Sequence, residues 1–162
     1  METEKETQAP AAAGAGQENY LRQIGEIYGR YMKTLEEQRK KLKPFDGMLG
    51  LGKKLGDDPC HEAFLVELKA MLEGLGADVP PGEIAVLLRY IYEAQNRFEG
   101  CHESAIWTLL AAHGTTLSLI PRLEQRETEE LLPLYVKLVP RTQRLPVHKT
   151  IIKKLKEQSK NA

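Results

Sequence analysis

Apolar residues recur along this chain at the three-to-four-residue spacing of helices that face a core. No stretch alternates between apolar and polar residues as a half-buried strand would. Short connections between long helices favour neighbours that alternate in direction. The pattern therefore predicts an all-α fold, an up-and-down antiparallel helical bundle of four main helices plus a short C-terminal tail helix. The predicted helices cover residues 18–43, 59–75, 81–113, 121–139 and 147–156.

Proline, glycine and small polar residues set the predicted ends of these helices. Asp58 and Pro59 stand in the preferred order of an N-cap followed by the first helical residue. In the third helix, the apolar phase passes unbroken through Gly100, which predicts one continuous helix from Pro81 to His113, with a break at Gly100 as the alternative. Pro133 predicts a kink in the fourth helix.

Two regions of the chain differ in their capacity to pack. Residues 1–16 contain alanine, glycine and polar residues but almost no large apolar side chain, which predicts a disordered N-terminal tail. Residues 17–162 are long enough for one core, so they are predicted to form a single helical-bundle domain.

Charge is segregated along the chain although the formal net charge is zero. Residues 55–138 are acidic and residues 139–162 are basic. We expect the tail helix to dock through Val147, Ile151 and Leu155 and to turn its lysines towards solvent or the acidic centre. Binding of nucleic acid or an anionic membrane surface through this helix is an alternative. Nucleic-acid binding is the less favoured reading, because no aromatic residue follows Pro140 to stack on bases.

The chain carries no apolar run of the length that spans a bilayer, and acidic residues occupy the N-terminal positions where a secretory signal is basic. These features predict a cytoplasmic protein without a transmembrane segment. In that compartment, Cys60 and Cys101 are expected to stay reduced, with a disulfide between them as the alternative.

The triplet Cys-His-Glu occurs twice, at residues 60–62 and 101–103, in a chain with only two cysteines and four histidines. In each copy an acidic residue lies three positions before the histidine, so both side chains share a helix face. If the second and third helices pair as an antiparallel hairpin, the two triplets meet. The residues that would then supply metal ligands are Asp58, Cys60, His61, Glu99, Cys101 and His102.

Several hypotheses describe what the two triplets do where they meet. The favoured hypothesis is that they supply buried thiols and hydrogen-bonded histidines to the core. A zinc or iron site is the main alternative, with His61 and His102 as nitrogen ligands and a carboxylate or thiolate completing the shell. A thiol enzyme with Cys60 as nucleophile and His102 as base is a further alternative.

The segment Gly56-Asp57-Asp58-Pro59-Cys60-His61-Glu62 resembles small uncharacterised all-helical proteins of anaerobic bacteria. The resemblance implies a bacterial setting and supplies no activity. Taken together, the sequence favours a small binding or regulatory protein without catalytic activity. It does not identify a partner, and a protein is one candidate.

Overall fold

The computed structural model describes the backbone of residues 2–41, 60–97 and 103–161, and the side chains of 19–38, 60–97 and 105–160. These residues form helices and turns without a β-strand, which confirms the all-α prediction. The helices are α1 (Glu2–Lys41), α2 (His61–Glu73), α3 (Pro81–Arg97), α4 (Glu103–Ala111), α5 (Gln125–Leu138) and α6 (Pro146–Asn161). Short 3-10 helices cover Ala112–Thr116, Ile120–Arg122 and Arg141–Gln143. Gly100 and the predicted cap at Asp58 and Pro59 lie outside the described residues.

One cluster of buried apolar side chains draws on all six helices. Aromatic rings join its first half, where Tyr28 of α1 meets Phe64 of α2 and Tyr90 of α3 edge-on. Tyr31 stacks on Phe64 with ring centroids 4.6 Å apart. The second half forms where Tyr92 of α3 packs against Tyr135 of α5.

The predicted third helix is wrong as a continuous element. A continuous helix from Pro81 to His113 would separate Tyr92 from His113 by about 32 Å along its axis. The centroids of their rings instead lie 5.3 Å apart. The chain therefore folds back between α3 and α4, because burial of residues on both segments outweighs the preference for an unbroken helix.

Helix α2 packs mainly on α1 and on the 3-10 helix Ala112–Thr116, rather than on α3. Two hydrogen bonds fix its direction. His61 bonds to Thr108, and the Arg122 guanidinium donates to the Leu75 carbonyl. Both pairs are separated by 47 residues, so α2 runs parallel to residues 108–122. The predicted hairpin of the second and third helices, and with it the detailed four-helix arrangement, is therefore not confirmed.

The C-terminal helices α5 and α6 pack closely against each other. Helix α5 begins with a reciprocal capping box between Glu124 and Glu127, and it accommodates Pro133 internally. Helix α6 extends to Asn161, past the predicted end at residue 156. Ile151 and Leu155 are fully buried and Val147 is half-buried against the core, which confirms the predicted docking of this helix.

Helix α1 begins at Glu2, whereas the sequence predicts disorder for residues 1–16. Ala9 to Ala15 contains five alanines, which favour a helix, together with Pro10 and Gly14, which oppose it. Within the described residues, the structure contains no helix with both the length and the apolar character that crossing a membrane requires.

Candidate functional site

The first Cys-His-Glu triplet lies at the start of α2. Cys60 occupies the N-cap position and His61 is the first helical residue, and both are half-buried. His61 Nδ1 lies 2.9 Å from the Thr108 hydroxyl oxygen of α4. This hydrogen bond gives the imidazole a structural partner, as the reading of a hydrogen-bonded histidine expects.

The other residues proposed as metal ligands, Asp58, Glu99, Cys101 and His102, lie outside the described residues. Within the described part of the chain, no three histidine, cysteine, aspartate or glutamate side chains form a group that could hold a metal ion. The convergence of the two triplets therefore stays a prediction.

A groove between α1 and α2 opens beside Cys60. It has a volume of about 300 Å³, and Tyr31, Phe64 and Thr34 form part of its wall. The Arg30 guanidinium pairs with the Glu67 carboxylate in the same groove, and this links the two helices across it. Both partners of that ion pair are about half-exposed, so it contributes little to stability.

The structure reveals a second cluster of titratable groups, which the sequence analysis did not identify. It consists of four buried rings, those of Tyr92, His113, Tyr135 and His148, contributed by α3, the 3-10 helix after α4, α5 and α6. His113 lies at the centre, with ring centroids 5.3 to 5.4 Å from the other three. We call these four residues the buried ring cluster.

Hydrogen bonds fix the orientation of His113. Its Nε2 lies 3.3 Å from Gln95 Oε1, an oxygen that can only accept, so Nε2 carries the proton. Nδ1 then accepts from the Tyr135 hydroxyl at 3.0 Å. Each ring nitrogen therefore has a hydrogen-bond partner, and the low pKa that burial gives this imidazole keeps it neutral.

A second chain of hydrogen bonds secures the 3-10 helix that carries His113. The Thr116 hydroxyl donates to the His113 carbonyl at 2.7 Å. Because its proton is committed there, Thr116 Oγ1 accepts from the Tyr92 hydroxyl. Helix α3 is thereby fastened to the segment that follows α4.

His148 fastens α6 to the end of α4 in the same way. Its Nδ1 accepts from the Leu145 amide at 3.0 Å, and its Nε2 donates to the Leu110 carbonyl at 3.1 Å. Both ring nitrogens are used, which again defines a neutral imidazole. The side chain is fully buried, so a polar contact ties the basic C-terminal helix to the core.

Burial shifts every titratable group in the cluster towards its neutral form. Desolvation, with a smaller contribution from neighbouring His148, lowers the pKa of His113 to about 3. Desolvation also lowers the pKa of His148, against the hydrogen bond to Leu110. Desolvation raises the pKa of the Tyr92 and Tyr135 hydroxyls above their ordinary value. At neutral pH the cluster is an uncharged hydrogen-bonded core.

The sequence contains a signal for part of this cluster. His113 lies four residues after Leu109 and eight after Ala105, so it continues a stripe of buried residues. A histidine on a core stripe predicts a hydrogen-bonded buried imidazole. Its partners on α3, α5 and α6 are distant in sequence, and no local pattern identifies them.

Two surface features are not needed for packing the core: exposed apolar side chains on α4 and exposed lysines on α6. Trp107 and Ile106 of α4 are 50% and 39% exposed. Helix α6 presents exposed lysines opposite its docked face. These surfaces are candidates for binding.

Comparison with protein-family models, curated proteins and solved structures found no match for this chain, so its function has to be inferred from its own surfaces.

Proposed function

We propose that this chain is a non-enzymatic binding protein, a helical bundle that holds a protein partner on α4 at Ile106 and Trp107. We call these two residues the α4 apolar surface. The up-and-down order of the bundle is part of this proposal. The exposure of Trp107 is the observation that supports it best.

The placement of titratable groups favours binding over catalysis. The buried ring cluster is uncharged, and each of its imidazoles uses both nitrogens in hydrogen bonds within the protein. Among the described residues, three surface grooves with volumes of about 290 to 610 Å³ are lined without a histidine, and Cys60 in one of them has no histidine beside it in that lining to serve as a base. A catalytic site needs a reactive group that substrate can reach, so the ring cluster serves stability better than chemistry.

A half-exposed tryptophan leaves a large apolar area in water. Covering roughly 100 Å² of it would contribute about 2.5 kcal/mol to association. Tryptophan is also among the residues most enriched at the energetic centres of protein interfaces. Ile106 adjoins it on the helix, and both are more exposed than most large apolar side chains among the described residues.

Site-specific photo-crosslinking in cells tests the proposal. Trp107 is replaced by a benzophenone amino acid, which preserves an aromatic side chain, and the matched control carries the same group at exposed Glu36 of α1. The expected result is one discrete adduct at position 107 that is absent at position 36. Excess unlabelled protein should compete for it, and excess Ile106→Lys protein should not. The same adducts at both positions, or none, would refute the proposal.

A second copy of this chain is the simplest rival partner, and fluorescence distinguishes it. Trp107 is the only tryptophan, so its emission reports on this surface alone. For a hetero-partner, the emission maximum stays constant as the protein is concentrated. A blue shift with concentration would indicate self-association through α4.

A zinc or iron site remains the alternative function. One observation supports it. His61 of the first triplet forms a hydrogen bond with Thr108 of α4, and α4 begins at Glu103, the last residue of the second triplet. Elemental analysis of freshly purified protein tests this alternative. Stoichiometric metal that is lost in the His61→Ala variant would support it, and metal-free protein would leave the purely binding function.

A further inference from the structure

Four lysines of α6, Lys149, Lys153, Lys156 and Lys160, share one side of the helix. At about 100° per residue they fall within about 60° of one another, and they span about 17 Å along the axis. All four are exposed. We call them the lysine stripe. Its last member lies beyond the helix end that the sequence predicts, so its full length is evident only in the structure.

One acidic residue of the same helix borders the stripe: exposed Glu157 lies about 80° from Lys149 around α6. None of the ion pairs among the described residues involves one of its lysines. The acidic start of α5 lies beside Gln158, whose amide donates to the Leu123 carbonyl. Gln158 is about 180° from Lys149 around α6, so Glu124 and Glu129 flank the opposite side of the helix. The stripe therefore presents its charge to solvent.

We infer that the lysine stripe binds the phosphate backbone of a nucleic-acid duplex without reading its sequence. A narrow row of point charges matches a linear polyanion, and lysine neutralises phosphates without requiring a fixed geometry. The stripe carries no arginine, asparagine or glutamine that could pair with base edges. The expected contacts therefore position the protein on nucleic acid and confer no sequence preference.

Three observations favour a duplex over other polyanions. Helix α6 contains no aromatic residue on which unpaired bases could stack, which disfavours single strands. Its apolar face is docked, with Ile151 and Leu155 fully buried, so it has nothing to insert into a membrane. Lysine is depleted at protein interfaces, where arginine predominates, so an acidic protein partner fits less well.

Fluorescence anisotropy with a labelled duplex of about 20 base pairs, at about 50 to 200 mM salt, tests the inference. If all four lysines engage phosphates, the logarithm of the association constant should fall against the logarithm of salt concentration with a slope of about −3.6. Each single Lys→Gln substitution in the stripe should reduce that slope by about 0.9.

Two quadruple variants distinguish the effect of the position of the removed charges from the effect of the change in net charge. The stripe variant is Lys149→Gln, Lys153→Gln, Lys156→Gln and Lys160→Gln. The matched control, Arg22→Gln, Lys33→Gln, Lys69→Gln and Arg126→Gln, removes the same charge from exposed sites elsewhere. Both sets of side chains are exposed, and circular dichroism checks that both variants fold. The expected result is at least a tenfold loss of duplex affinity in the stripe variant and less than a twofold loss in the control.

Three outcomes would overturn the inference. One is an absence of duplex binding by the wild-type chain at about 50 mM salt. The second is an equal loss of affinity in the two quadruple variants. The third is binding to phosphatidylcholine vesicles containing phosphatidylserine, or to polyglutamate, with greater affinity than to the duplex.

Discussion

The hydroxyl oxygens of Tyr92 and Thr116 lie 2.7 Å apart although 24 residues separate them in the chain. This hydrogen bond joins α3 to the segment after α4, two parts of the chain that a continuous third helix would hold far apart. It also borders the buried ring cluster, where α3, α5 and α6 meet around His113. Stability of the C-terminal half should therefore depend on polar atoms as well as on apolar packing.

Tyr135→Phe should lower the free energy of unfolding by about 1–3 kcal/mol, because His113 Nδ1 would lose its donor and remain buried. Tyr20→Phe, at a half-buried ring of α1, is the matched control and should change it by less than about 0.5 kcal/mol. Urea denaturation measures both. Equal values for the two variants would show that the hydrogen bond to His113 does not matter for stability.

Stability should decrease as the pH falls below about 6.5, the ordinary pKa of an unfolded histidine. The folded pKa of His113 is about 3, so between these values the unfolded state binds a proton that the folded state excludes. Each unit by which the pH falls in that window then lowers the free energy of unfolding by up to about 1.4 kcal/mol through His113. The lowered pKa of His148 acts in the same direction.

Urea midpoints between about pH 7 and pH 5.5, above the range where carboxylates titrate, measure this effect. His113→Gln should flatten the pH dependence, whatever its effect on absolute stability. Leu155→Ala, which lowers stability without removing a titratable group, is the control and should keep the wild-type pH dependence. A wild-type stability that is constant over this range would contradict the assignment of neutral buried histidines.

Leu155→Ala should destabilise the protein by about 2–5 kcal/mol, since Leu155 is fully buried where α6 docks. Lys153→Ala on the exposed side of the same helix should change stability by less than about 0.5 kcal/mol. Thermal unfolding of the two variants provides the comparison. A Leu155→Ala variant as stable as wild type would mean that α6 is not part of the cooperative core.

Backbone amides of residues 2–16 should exchange hydrogen orders of magnitude faster than those of residues 24–35. The reason lies in the sequence, which offers no large apolar side chain between Glu2 and Gly16 to anchor a helix, and isolated helices of this length are marginal. Mass spectrometry of exchanged peptides measures the difference. Equal protection would show that the first turns of α1 are stabilised by packing, contrary to the predicted disorder.

Local periodicity was sufficient to predict the fold class and the docked face of α6. Ile151 and Leu155 are buried because residues four apart share one side of a helix, a relationship contained in the sequence itself. The same spacing predicts that Ala105, Leu109 and His113 share one buried side of a helix.

The path of the chain between helices and the partners of His113 were decided by tertiary structure. The apolar phase is the same on both sides of Gly100 whether or not the chain turns there, so periodicity alone could not reveal that α3 and α4 fold against each other. Likewise, the exposure of Trp107 depends on which neighbouring helix covers that side of α4. Helical phase determines which residues share a side of a helix, and only the packing of distant segments determines which sides are buried.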